Sequence, residues 1–356
     1  IHAGSENDII NIGNEELLQN IAANLTIKGE AGADTINVDN SASTTNATAT
    51  NITGAGYLTN AQLSGLDMAG VITYETAEDL NIFLGKGHDL LTVVSTHIGT
   101  TDINDTGMNK DVFRIKSIAG DTTIVAGAGV DEFTVGGDDD TLAGIQAALN
   151  LLSGDDDNVL ILNNSGATST QTSVLNDKRL TGDYMTGYID YASFEDVSLL
   201  LGSGVDHFTV ESTIAGSTHI KTGAGNDVIN IGKLTDSSNA DTWGLADIAG
   251  DIYIMGGADN DTVNVGNSSD SDDHTSTLTD GTFTSTATSS GQIHFFSEAM
   301  TQDLNTDPVI LALPSAVTVE YFNIVMGSGI DHITVNDSGT LVTDWDASQV
   351  EVSVDT

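Results

Sequence analysis

One short pattern, repeated in register, constrains this 356-residue chain more than any other feature. Seven segments align without a gap over fifteen positions: NLTIKGEAGADTINV, DLNIFLGKGHDLLTV, DTTIVAGAGVDEFTV, DVSLLLGSGVDHFTV, STHIKTGAGNDVINI, DIYIMGGADNDTVNV and YFNIVMGSGIDHITV. Their shared aspartates are Asp34, Asp89, Asp131, Asp206, Asp227, Asp261 and Asp331. An eighth copy, GSENDIINI, carries Asp8. A ninth, GDDDNVLIL, has Asn158 in the aspartate position and Asp157 beside it. Seven residues before the aspartate stands Ile or Leu; two and four residues after it the side chains are apolar, with Asn or Thr between them. Alternation of that kind is the period of a half-buried strand, so each block reads as strand, glycine turn, strand. A single block cannot bury its own apolar face, but stacked copies can. The expected fold is all-β: a right-handed parallel β-solenoid, a β-roll or β-helix, with irregular inserts.

The spacing of the blocks sets the expected organisation. Asp206 and Asp227 are 21 residues apart, about one coil, while other gaps are longer and must hold extra coils or loops. A longer period also shows: YETAEDL, YASFEDV and TVEYF precede Asp89, Asp206 and Asp331, whose separations are 117 and 125. Inserts rich in Ser, Thr and Asn (NSASTTNATATN, NSGATSTQTS and NSSDSDDHTSTLT) recur in the same phase. The expectation is one continuous solenoid over 1–356, with super-repeats at 1–71, 72–188, 189–314 and 315–356, the first and last partial. The chain opens on Ile1 without Met and reads as an interior or processed piece of something longer.

Charge enters at the turn. The formal net charge is −43, from 52 acids against 9 bases. Such a charge opposes compaction by self-repulsion, so it implies bound cations or a saline setting. It argues against nucleic acid and against anionic membrane surfaces as partners. No apolar run is long enough to suggest membrane insertion. The absence of cysteine leaves no disulfide framework and no thiolate metal site. Stacking would bring equivalent aspartates to strand spacing, about 4.8 Å. Two charges that close repel by roughly 1 kcal/mol even at the dielectric of water, and a divalent ion between coils would turn that repulsion into attraction. Glycines permit positive φ and let backbone carbonyls curl inward. A cage of carbonyl oxygens closed by one carboxylate suits calcium better than the tight octahedron magnesium requires.

These blocks resemble the glycine- and aspartate-rich nonapeptide of RTX (hemolysin-type) proteins, G-G-x-G-x-D-x-U-x with U a large apolar residue. The U position holds Ile10, Ile36, Leu91, Phe133, Phe208, Ile229, Val263 and Ile333. In that family, turn carbonyls and the Asp carboxylate bind Ca²⁺ between successive coils of a parallel β-roll. Carried over by position, the resemblance implies carboxylate ligands at Asp8, Asp34, Asp89, Asp131, Asp206, Asp227, Asp261 and Asp331. It implies turn glycines at Gly29, Gly32, Gly85, Gly87, Gly127, Gly129, Gly202, Gly204, Gly223, Gly225, Gly256, Gly257, Gly327 and Gly329. The chain departs from the family in keeping the first glycine only at Gly29 and Gly256, and in placing acids at Glu6, Glu30 and Asp259. It also shows one copy per coil or fewer, which implies individual sites rather than an unbroken row of ions. Asp157 and Asp259 are further candidate ligands. Asp79, Asp121, Asp196 and Asp251, ten residues before their block's aspartate, form a candidate second row, although polar residues beginning a strand is the plainer reading.

The remaining features point away from chemistry. The Asn/Thr position reads as a solvent-facing ladder of cross-strand hydrogen bonds rather than an ice-binding face. His88, His207 and His332 flank turns in different positions and form no metal row. Asn24, Asn46, Asn51, Asn104 and Asn260 match the glycosylation pattern, in a chain already rich in Asn and Thr. The only arginines are Arg114 and Arg179, too few for a lyase acting on acidic sugars, and no carboxylate pair stands out for a hydrolase. The expected function is a non-catalytic, calcium-stabilised structural repeat of an extracellular protein: an adhesin stalk, surface-layer or matrix filament. Self-association through open strand edges is the expected partnership. The alternative is a module whose Ser/Thr-rich inserts bind glycans or a neighbouring cell surface; a polysaccharide-active enzyme comes third. A prokaryotic cell surface is implied by the resemblance alone.

Overall fold

The computed structural model describes residues 1–13, 15–47, 54–234, 243–279, 282–295, 321–325, 331–335 and 350–354. The protein is all-β. Strands make up nearly half of the described residues, and no α-helix occurs among them. None is therefore long and apolar enough to cross a membrane. The chain forms two compact units, one of residues 1–163 with 184–196, the other of residues 164–183 with 197–356.

In the first unit the chain alternates between two sheets. One begins with His2–Gly4 and Leu25–Glu30, the other with Ile9–Ile12 and Thr35–Asp39. The second sheet continues through Asp79–Phe83, Thr100–Asn104, Thr122–Val125, Ala148–Leu152 and Tyr188–Ala192, every pairing parallel. Register lines up like with like. Ile12, Val38, Ile82, Ile103, Ile124 and Leu151 form one continuous stack, and each of them is buried. The first sheet ends in an equivalent run, where Leu91, Phe113, Phe133 and Leu160 lie side by side. Phe113 and Phe133 stack with ring centroids 4.8 Å apart, and Phe194 closes edge-on against Phe133 at 5.3 Å. Aromatic geometry of this kind adds to the area the rings bury.

The second unit repeats the scheme. Gln171–Leu175, Asp206–Val210, Val228–Ile231, Thr262–Gly266 and Tyr321–Val325 pair in parallel, stacking Phe208, Ile229 and Val263. Its other sheet pairs Ser217–Lys221 with Asp251–Met255 and then Ile293–His294. Outward-facing asparagines form hydrogen-bonded ladders in both units. Asn81 donates to Asn37 and Asn37 to Asn11, each at 2.8 Å; Asn264 donates to Asn230 at 2.8 Å. This is the cross-strand ladder that the Asn/Thr position suggests.

The inserts differ from expectation. Each leads into strands that join the sheets antiparallel: Gly56–Leu58, Gln62–Ser64 and Val71–Glu75; Gln171–Leu175 with Arg179–Gly182; Thr275–Thr279, Thr282–Ser285 and Ile293–His294. The reason lies in the side chains. Some inward positions after the second and third inserts hold polar residues, which interrupts the apolar alternation that marks a strand; the strands after the first insert bury Leu58, Leu63, Ile72 and Tyr74. Gln171 and Ser173 are buried, and Ser276 is buried with its hydroxyl bonded to that of Ser285 at 2.8 Å.

Candidate metal centre

The aspartates do not form one column. Asp8 and Asp34 sit at turns leading from the first sheet to the second, whereas Asp89 and Asp131 sit at turns leading back, on the opposite side of the unit. Side chains and backbone then link neighbouring turns in a fixed way. A carboxylate oxygen of Asp34 accepts the Asp8 N–H at 2.9 Å. On the other side Asp111 accepts from Asp89 at 2.5 Å, Asp131 from Asp111 at 2.8 Å, and Asn158 from Asp131 at 2.8 Å. In the second unit Asp227 accepts from Asp206 at 2.8 Å and Asp261 from Asp227 at 3.0 Å. One oxygen of each rung is thus a structural acceptor, a charge-assisted bond to backbone.

A glutamate ends two of these ladders. Glu78 accepts the Asp34 N–H at 2.7 Å, and the N–H groups of Glu78 and Asp79 both reach the Asp34 carbonyl at 3.1 Å. Glu195 does the same for Asn158 at 2.7 Å, with Glu195 and Asp196 bonding its carbonyl at 3.1 and 3.2 Å. Glu78 and Glu195 are 117 residues apart and belong to YETAEDL and YASFEDV, so the upstream signature is a ladder terminus.

The second carboxylate oxygen defines the chemistry. In Asp8, Asp34, Asp111, Asp131 and Asp227 it is buried and has no hydrogen-bond partner among the described residues. Asn158 shows what surrounds this place on its own rung. Its Oδ1 accepts the Asp131 N–H, which sets the amide's orientation, and its Nδ2 donates to the carbonyls of Asp156, Asp155 and Ser193 at 2.9, 3.2 and 3.3 Å. An aspartate on the same rung presents an oxygen where Asn158 presents a donor. Carboxylate oxygen beside carbonyl oxygens is unfavourable unless a proton or a cation joins them. The donor set, oxygen only, fits a hard cation.

The same burial perturbs titration. Desolvation first, then the charge of Asp105, pushes the Asp111 carboxyl up to about 9 and that of Asp89 up to about 8. Burial takes Asp131 to about 7 and Asp206 to about 6, and it raises Asp227. A folded chain without cations therefore holds protons that the unfolded chain releases around its ordinary value of 3.8. This contribution to stability is complete below about pH 4 and is lost as pH rises through the folded values. In excess chelator the urea midpoint is expected to fall from about pH 5 to about pH 9. A level or rising midpoint would show that these carboxyls ionise at no cost.

The glycines serve packing as well as turn conformation. A Cβ on Gly29, Gly32, Gly87, Gly129, Gly202, Gly204, Gly223, Gly225 or Gly257 would fall 1.8–2.3 Å from a carbonyl oxygen of a neighbouring turn, and on Gly85 2.8 Å. Gly127 has more room, 3.0 Å, but takes φ +89°. Glu30 and Asp259 also adopt positive φ, +75° and +79°, so these acids occupy glycine-like backbone positions. Gly256 is buried, and its carbonyl accepts the Thr222 hydroxyl. The Asp259 carboxylate reaches outward to the Gly225 N–H at 3.3 Å, and Asp157 is exposed.

The candidate second row is not gathered into a site. Asp79 accepts from the hydroxyls of Thr35 and Thr100, Asp121 from the Ala148 N–H and Asp251 from the Gln292 N–H. Thr100 stands between Asp79 and Asp121 in the sheet, and Asp196 is half-buried. Gly327, Gly329, Asn51 and the Asp331 side chain lie outside the described residues.

Two site residues escape the gapless repeat. Asp105 and Asp111 belong to a block whose turn is one residue longer. Ile103 pairs with Ile82 and Ile124, so Asp105 corresponds to Leu84 and Ala126, and Asp111 to Asp89 and Asp131. Allowing a single gap would have recovered NDTGMNKDVFRI as a further copy. Asp89, Asp105 and Asp111 are all buried, with ligand atoms within 4.8 Å of one another, so this cluster could hold a metal ion. No protein-family model and no curated protein matches the chain.

Proposed function

We propose that this chain is a right-handed, calcium-ordered parallel β-solenoid of RTX-like character, and that it serves as a non-catalytic structural segment of an extracellular surface protein. One observation carries the reading: rung after rung buries a carboxylate oxygen with no donor to meet it, while Asn158 fills the equivalent place with an amide. Asp8, Asp34, Asp131, Asp206, Asp227 and Asp261 would hold calcium together with turn carbonyls. The ion would supply positive charge between turns of a chain carrying −43 overall. Outside a cell, millimolar calcium would order the ladders; at low calcium, repulsion would keep the chain loose enough to export. Self-association of such stacked strands into a filament or layer belongs to the same reading. Glycan binding is less well supported, because the Ser/Thr-rich inserts spend inward side chains on the sheets.

Asn158→Asp gives a direct test. Protein equilibrated with calcium should carry several ions per chain by elemental analysis, and the variant one more. In chelator the variant should lose roughly 1–3 kcal/mol, the cost of an unmet buried acceptor. Light scattering on the same samples should show calcium-dependent growth of the wild type. Fewer than one ion per chain, or a variant of wild-type stability in chelator, overturns the calcium reading. Particles that stay monomeric overturn the filament.

A further inference from the structure

We propose that Asp89, Asp105 and Asp111 form a divalent-cation site of a different kind from the ladder turns, one that fills first and binds most tightly. A ladder rung needs one carboxylate, and Asp111 already supplies it by accepting the Asp89 N–H. Asp105 is surplus to that ladder. It stands in a position that Leu84 and Ala126 fill with buried apolar side chains, and it is itself 3% exposed. One Asp105 oxygen is tied to the Gly107 N–H; the other is buried and meets no donor among the described residues. The second oxygen of Asp111, a residue 0% exposed, is in the same condition. Asp89 is 5% exposed and has one oxygen held by the Gly85 N–H at 3.1 Å.

Three carboxylates thus converge within 4.8 Å, two with an oxygen left for a ligand, in the one turn of this ladder that carries an extra residue. Packing alone would favour an apolar residue at position 105, because buried carboxylates without donors or counter-charge are destabilising. All-oxygen ligation with three formal charges suits calcium, and affinity for such ions rises with the number of ligand charges. The site stands apart from the ladder reading, because its carboxylates converge whether or not the single-carboxylate rungs take up ions.

Calorimetric titration of the metal-depleted full chain with calcium chloride tests this. The wild type is expected to show a first phase of one ion, on the order of tenfold tighter than the rest. Asp105→Leu, which restores the residue found at Leu84, should abolish that phase and keep the weaker one. Asp105→Asn, similar in size, guards against a packing artefact and should do the same. Asp131→Asn should retain the first phase and diminish the second. A first phase that survives both Asp105 variants, or a wild type with no separate tight phase, overturns the proposal. A tight phase with no weaker one upholds this site and overturns calcium binding by the ladder.

Discussion

Removing calcium at about pH 8–9 is expected to unfold or deeply loosen this protein, seen as loss of the far-ultraviolet β signal or a large fall in melting temperature. An ion bound only to the folded state, at a concentration a hundredfold above its dissociation constant, adds about 2.7 kcal/mol. Two or three such sites equal or exceed much of the roughly 5–15 kcal/mol that stabilises an ordinary domain. The opposing term grows with pH: Asp206 and Asp131, at about 6 and about 7, ionise first, and the Asp89 and Asp111 carboxyls, pushed up to about 8 and about 9, follow in a buried cluster with Asp105. Protons can stand in for the ion only below those values. The chelator effect should therefore be strong at pH 8 and weak near pH 5. Superimposable melting curves with and without chelator at pH 8 would sink the calcium reading.

Gly257→Val is expected to be among the most destabilising single changes, costing at least about 3 kcal/mol. Gly257 has φ +101°, which a β-branched residue resists, and a Cβ there would sit 1.8 Å from the Gly223 carbonyl oxygen. Strained backbone alone costs of order 1–3 kcal/mol. The collision adds to it, because the next turn cannot retreat without breaking the Asp261 to Asp227 rung. Gly4→Val is the control: φ +119°, with nothing within 4 Å of the added Cβ. Urea unfolding of the two variants separates strain from collision, and equal losses would show that close stacking of turns contributes little.

Much of this is legible in the sequence. Alternation placed strands such as Asp206–Val210 and Val228–Ile231, and the recurring aspartates marked the residues that become rungs. Other parts were hidden for identifiable reasons. Asp111 was lost because one inserted residue breaks a gapless register. Glu78 and Glu195 looked like part of an upstream signature, since nothing local says that a glutamate will reach the backbone of a residue 44 or 37 positions earlier. The strands Gln171–Leu175 and Thr275–Thr279 read as insert because polar Gln171, Ser173 and Ser276 share their inward positions with Leu175 and Leu278.

Most segments declare their own kind locally. Period-two patterning and glycine turns are local properties, set by side-chain direction and backbone sterics over a few residues. Which turn lies beside which depends instead on long-range pairing between strands. Parallel strand partners here are 19 to 59 residues apart, and the intervening antiparallel strands alter the stacking without altering any motif. The seven equivalent aspartates whose side chains are described therefore divide among separate ladders, two on opposite sides of the first unit and one in the second. A carboxylate becomes a rung only when pairing across the sheets brings another turn's N–H within reach.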